Sequence, residues 1–210
     1  MLEFIIVSAV ALLIAITIHE AAHAFMANYL GDPTPRLQGR LSLNPLVHLD
    51  PIGTIVLLIT GFRFGWGKPV IFDPYNLKNP KRDSALISIA GPLSNLAFAS
   101  ILSLLFRFLL SPFSAVFFFS TFFQTLIYLN VALAIFNLIP IHPLDGGKIL
   151  IGLLPDREGR KLDYFMSKYG VFVLLLLILP LWNGAPLVSI ITFPVVNFFV
   201  SVFLPTSLVI

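Results

Sequence analysis

The chain has 210 residues, of which 58% are hydrophobic, 11% are charged and none is cysteine. Soluble domains carry about 45–50% apolar and about 25% charged residues, so this composition excludes an ordinary water-soluble globule, a disordered chain and a nucleic-acid-binding domain. The net charge is only +3, and without cysteine there are no disulfides, thiolate metal ligands or cysteine nucleophiles.

A helix needs about 20 apolar residues to cross a hydrocarbon core about 30 Å thick. Five stretches approach or exceed that length: residues 4–27, 84–110, 115–141, 165–182 and 186–204. The first is unlike a cleaved secretory signal. Ala22-His23-Ala24 fits a small-x-small cleavage site, but only Glu3 precedes Phe4, where a signal peptide carries positive charge. A shorter run, Ile52–Ile59, punctuated by Gly53 and Gly61, cannot cross and reads as a re-entrant or interfacial segment. Ahead of it, residues 36–43 alternate polar and apolar side chains with period two, which predicts a strand with one apolar face. Residues 68–73 predict a second, short strand, with Pro69 forcing it to an edge. Asn44-Pro45, Asp50-Pro51, Asp73-Pro74 and Asn79-Pro80 mark turns between these pieces. The expected architecture is a polytopic α-helical membrane protein: about five full spans, a short re-entrant segment and a small cytoplasmic-side β-sheet.

Lysine and arginine set the orientation. Seven cations (Arg36, Arg40, Arg63, Lys68, Lys78, Lys81 and Arg82) lie between the first and second stretches. Five more (Lys148, Arg157, Arg160, Lys161 and Lys168) lie after the third, and Arg107 alone falls near the far end of the second. If each long stretch crosses once, twelve of thirteen cations share one face. That face is expected to be cytoplasmic, with the N-terminus outside and the C-terminus inside.

The first stretch contains His19-Glu20-Ala21-Ala22-His23. Residues four apart share a helix face, with Cβ atoms about 5–6 Å apart, so both imidazoles can reach one zinc ion. Glu20 then stands where it can meet a water at the metal, the H-E-x-x-H arrangement of metalloproteases. Ionisable groups at membrane depth are costly and by default functional. The bland readings are a polar cluster bonded to other helices, or a group of side chains already in interfacial water. A catalytic zinc usually takes three protein ligands and keeps one position open. Asp145, in Pro143-Leu144-Asp145-Gly146-Gly147, is the best third ligand, because the span count delivers it to the same face as His23. Its alternative role is to cap a short helix.

These pieces together resemble the site-2 protease family of zinc intramembrane metalloproteases. The matching elements are His19-Glu20-x-x-His23, Gly91-Pro92-Leu93-Ser94-Asn95 on the second span, and Asn137-Leu138-Ile139-Pro140 leading to Leu144-Asp145-Gly146. The resemblance covers the chain to about residue 150 and implies a single membrane-embedded protease domain, 1–210, with additional spans at about 160–205. It implies a compact member without a PDZ or CBS domain, in a bacterial-type cell membrane. It also implies one Zn2+ held by His19, His23 and Asp145, with Glu20 as general base. Asn137 and Asn95 are candidates for substrate-backbone or oxyanion binding, against interhelical hydrogen bonding, and Gly91 and Pro92 are packing or kink residues. The implied substrate is a single-span membrane protein, cut on the cytoplasmic side in regulated intramembrane proteolysis, with the lipid bilayer as the other partner and no nucleic acid. An unwound substrate segment is expected to add to a sheet edge supported by residues 36–43. His142 is expected to be interfacial rather than a further ligand, since a fourth protein ligand would close the catalytic position. His48 is expected to make a structural hydrogen bond.

Two other function classes fit part of the pattern. A metal transporter also places histidines and carboxylates inside spans, but it predicts polar groups running to the outer face, where only Arg107, Gln124 and a few hydroxyls stand. A non-catalytic scaffold that binds partner helices does not need Glu20.

Overall fold

The computed structural model describes residues 2–59, 65–109, 119–180 and 186–204. Gly61, Arg63 and the ends of three expected spans lie outside the described residues. The described helices are α1 (Leu2–Tyr29), α2 (Thr34–Leu37), α3 (Pro51–Ile59), α4 (Pro80–Leu109), α5 (Ser120–Asn137), α6 (Asp145–Leu153), α7 (Asp156–Ile178) and α8 (Leu187–Phe203). Two 3-10 turns, Pro45–His48 and Pro74–Asn76, join them.

Helix starts follow local chemistry. Asp50 caps α3 by accepting from the Gly53 N–H at 2.7 Å. Pro80 opens α4, where a missing N–H costs nothing, and Asp83 reaches back to the Asn79 N–H at 2.9 Å. Among the described residues, three helices are long and apolar enough to cross a membrane: α1, α4 and α5. Of the other two expected spans, α8 is apolar but has 17 residues, and the first half of α7 is charged, from Asp156 to Lys168.

α1, α4, α5 and α8 share one core, built from Ala11, Ala99, Phe106, Ile127, Val131 and Val200 among others. On α1, Ala11, Ala15, Ala24 and Ala27 are fully buried. Such small side chains let helix axes approach closely where lipid provides no hydrophobic driving force. Ile6, Phe25, Leu104, Phe108 and Phe198 point outward and are exposed, as lipid-facing groups must be.

The predicted sheet does not form. Among the described residues the only β-pairing is an isolated antiparallel bridge between Leu49 and Gly67. Residues 36 and 37 close α2, Gly39 turns the chain at φ 70°, and no strand follows. The alternation is real, but its burial is reversed: Leu37 is 82% exposed and Leu43 69%, whereas Arg40 is 4% exposed. The reason is hydrogen bonding. The Arg40 guanidinium donates to the carbonyls of Val47, Lys68 and Pro69, taking acceptors that a neighbouring strand would otherwise have to satisfy. The 36–43 edge expected to receive substrate is therefore absent, and residues 68–73 run unpaired in any ladder.

Asp32 locks the turn after α1. Its carboxylate accepts from the Thr34 N–H and hydroxyl, the Asp73 N–H and the Asn76 amide. Burial alone would raise the Asp32 pKa, but these donors win and hold it below the usual carboxylate value. Bonds to a charged acceptor contribute about 1.5–3 kcal/mol each, though donors sharing one carboxylate do not add fully. Asp32→Asn is expected to lower the melting temperature of the detergent-solubilised protein at pH 7. A carboxylate with a depressed folded pKa stabilises above its unfolded pKa and loses that contribution as pH falls through the folded value. The gap between wild type and variant should therefore shrink in melts recorded near pH 3. A constant gap would assign the effect to shape rather than charge.

Candidate metal centre

α1 is continuous through His19, Glu20 and His23, so the two imidazoles lie one turn apart on one face, edge to face with centroids 4.6 Å apart. They face α4, which lets them in at Gly91. A Cβ at that position would lie 2.4 Å from His23 Nε2, 2.5 Å from His23 Cε1 and 2.8 Å from His19 Cε1. Those are impossible approaches, so the absent side chain of Gly91 is the floor of the site.

Each ring is held by its other nitrogen. His19 Nδ1 donates to Asn95 Oδ1 at 2.7 Å, and His23 Nδ1 donates to the Ile87 carbonyl at 2.7 Å. Asn95 is fully buried. Its amide donates to the Ala15 carbonyl at 2.9 Å and to Asn130 Oδ1 at 2.8 Å, and Asn130 donates in turn to the Leu126 carbonyl. This relay through α1, α4 and α5 fixes the tautomer that leaves Nε2 with a lone pair.

Asp145 arrives from the far side. It is the first residue of α6, whose N-cap is Leu144, so it does not itself cap the helix. The turn before it is tight. A Cβ on Gly146 would lie 2.3 Å from the carbonyl oxygens of both Leu138 and Ile139. Asp145 Oδ2 sits 3.1 Å from His19 Nε2 and 3.2 Å from His23 Nε2, and the two Nε2 atoms are 3.1 Å apart.

Three acceptor atoms thus meet in one buried place. With both Nδ1 atoms protonated, neither Nε2 can donate, and Asp145 Oδ2 is buried with no hydrogen-bond partner. Mutually facing lone pairs are costly unless a cation joins them. The chemistry of the set, two imidazoles and a carboxylate, is that of a catalytic zinc. The spacing agrees: ligand atoms at about 2.0–2.1 Å from a tetrahedral zinc stand about 3.3 Å from each other. Among the described residues, these three are the group able to hold a metal ion.

A cavity of about 600 Å³ opens on this cluster, lined by Glu20, Asn137 and Lys148 as well as apolar groups. Glu20 Oε2 accepts from the Val70 N–H at 2.9 Å. Asn137 donates to the Leu133 carbonyl at 3.0 Å. Lys148, one turn after Asp145, places its ammonium 4.7 Å above the Phe72 ring. Burial pushes its pKa down, against the opposing pull of the Asp145, Glu20 and Asp163 carboxylates. A second cavity of about 1050 Å³ shares Val70, Phe72 and Lys148 with the first and extends to Asp163 and Arg160.

The structure thus gathers His19, Glu20, His23, Asn137 and Asp145 around one cavity and places Asn95 directly behind His19. His142 turns away to Asp163, with its Nε2 3.3 Å from Asp163 Oδ1. His48 is fully buried and donates to the Ser42 carbonyl at 2.8 Å. Sequence reasoning missed Asn130, Arg40, Lys148 and the Val70 N–H. Asn130 offered a signal, a polar side chain inside an apolar stretch seven residues before Asn137. Lys148 stands at helical spacing from Asp145. A backbone N–H leaves no trace in sequence.

The family model for peptidase family M50 matches residues 112–181. Two similar proteins are named "Putative zinc metalloprotease". YwhC of Bacillus subtilis is 40% identical over 196 residues, covering 90% of this chain and 84% of its own. Rip2 of Mycobacterium tuberculosis is 31% identical over 176 residues, covering 82% of this chain and 66% of its own. Zinc metalloprotease MJ0392 of Methanocaldococcus jannaschii is 26% identical over 151 residues, 70% of this chain but 34% of that longer protein. No solved structure matches the chain significantly.

Proposed function

Because the chain belongs to peptidase family M50, the site-2 proteases, we propose that this membrane zinc metalloprotease cuts peptide bonds within or beside the transmembrane helix of single-span membrane proteins. Regulated intramembrane proteolysis is the process such a cut serves. The observation that carries the reading is the convergence of three buried acceptor atoms beside Glu20, in a cavity among membrane-crossing helices.

His19, His23 and Asp145 hold the metal. Zinc bound there supplies Lewis acidity and makes water nucleophilic at neutral pH. Glu20 takes a proton from the attacking water and returns it to the leaving nitrogen as the C–N bond breaks. The Val70 N–H fixes one carboxylate oxygen and leaves the other for the water. Asn95 and Asn130 orient His19. Asn137 lines the same cavity and offers an amide to the substrate backbone or to the oxyanion.

The orientation follows from charge. Lys81 at the start of α4 pairs with Asp156 at the start of α7, 2.8 Å apart, whereas Arg107 at the other end of α4 donates to the Val202 carbonyl in α8. The cation-rich end is the cytoplasmic one, and the site opens near that end; α8 begins close to the site, where Val188 packs with Ile139 and Leu144, and ends beside Arg107.

The test is elemental analysis of purified protein. Wild type is expected to carry about one zinc per chain, and Asp145→Ala to carry far less or to lose it to a mild chelator. A folded wild type that holds no zinc and takes none up would overturn the reading.

A further inference from the structure

The catalytic carboxylate is held by a backbone amide, and that amide belongs to a segment with no ladder of its own. Lys68 N donates to the His48 carbonyl at 2.8 Å, and Leu49 and Gly67 form a lone bridge. Among the described residues, nothing else in the backbone pairs residues 68–70. What fixes them is Arg40, 4% exposed. Its guanidinium donates to the Lys68 carbonyl at 2.8 Å, to the Pro69 carbonyl at 3.0 Å, and to the Val47 carbonyl on the opposite side. A planar fork with five donors can hold three carbonyls in fixed directions; an ammonium cannot do so equally well. The Pro69 carbonyl and the Val70 N–H belong to the same planar peptide unit. Fixing the one therefore fixes the other, 2.9 Å from Glu20 Oε2.

We propose that Arg40 is a positioning residue for catalysis, aiming the Glu20 carboxylate through the Pro69–Val70 peptide. This rests on Glu20 being the general base. Among the described residues Arg40 bonds to backbone carbonyls and not to His19, His23 or Asp145, so its loss should leave substrate binding and zinc in place and lower the rate of the chemical step. A carboxylate free to rotate is misplaced for proton transfer, and small misplacements reduce rates by large factors.

The experiment uses the full chain in detergent and a single-span reporter that the wild type cuts, with kcat and KM measured separately and zinc counted in each variant. Arg40→Ala and Val70→Pro are compared. The second removes the N–H and exchanges the valine side chain, which lines the cavity, for a proline ring of similar size. It carries the test if Arg40→Ala does not fold. Both are expected to keep about one zinc and a KM within about twofold of wild type while losing at least about tenfold in kcat. Arg40→Lys, which keeps the charge but not the fork, should recover part of the loss. Wild-type kcat in Val70→Pro, or a loss confined to KM or accompanied by zinc loss, would overturn the proposal. So would a gain in kcat, which would mark residues 68–70 as a plug that substrate displaces. Glu20→Gln is run beside them. If it cuts at the wild-type rate, the general-base reading itself falls, whatever the Arg40 variants do.

Discussion

Replacing Gly91 by alanine is expected to strip the zinc and lower cleavage by at least about a hundredfold, without unfolding the protein. Two effects of one methyl group have opposite signs here. In a helix interior, alanine is favoured over glycine by about 1 kcal/mol, so α4 itself should gain. The methyl carbon, however, would stand 2.4 Å from His23 Nε2 and 2.8 Å from His19 Cε1. Neither ring can yield without breaking its Nδ1 bond to Asn95 or to the Ile87 carbonyl. Those bonds hold the ring orientation, and losing such partners typically costs 10–100-fold in metal affinity or activity. Here two ligands are displaced together. The check is paired: zinc content and cleavage on one side, thermal melting of the zinc-free forms on the other. An alanine variant with one zinc and wild-type cleavage would show that α4 backs away at little cost, and that Gly91 does not shape the site.

The contrast between Gly91 and Arg40 shows what the sequence could and could not reveal. The candidate ligands were legible because chemistry restricts them. Without cysteine, and with polar groups costly at membrane depth, His19, His23 and Asp145 had few competitors. The spans were legible from length and apolarity where those are strong, in α1, α4 and α5. α7, whose apolar half continues a charged one without a break, does not meet those criteria. Gly91 read as a packing residue, and it is one, but what it packs against is the pair of imidazoles; that contact depends on two helices meeting 70 residues apart. The 36–43 alternation misled because period two reports a strand only when its backbone finds a ladder. Here the carbonyls that would build one are taken by Arg40, a polar residue on the expected outer face. Long-range bonding to a single buried side chain overrode the local pattern.

Glu20→Gln separates catalysis from construction most sharply. Glutamine matches glutamate in shape, and its side-chain oxygen can still accept the Val70 N–H. It adds no bulk near His19 or His23, and it removes no ligand. About one zinc per chain and wild-type melting are therefore expected. What it lacks is a basic oxygen able to take a proton at neutral pH. General acid–base groups contribute about 10²–10⁴-fold, so kcat on a single-span reporter should fall by that factor with KM little changed. Asp145→Ala should lose both zinc and activity, so the two variants divide the site into its metal-holding and proton-moving parts. The division also discriminates between function classes. A channel for metal ions does not need Glu20 as a base, and a scaffold that binds helices needs neither Glu20 nor zinc. A Glu20→Gln protein that cuts as the wild type does would remove the carboxylate from the mechanism. The attacking water would then need another base, and Lys148, whose ammonium burial makes easier to deprotonate, is a further titratable group lining the same cavity to test next.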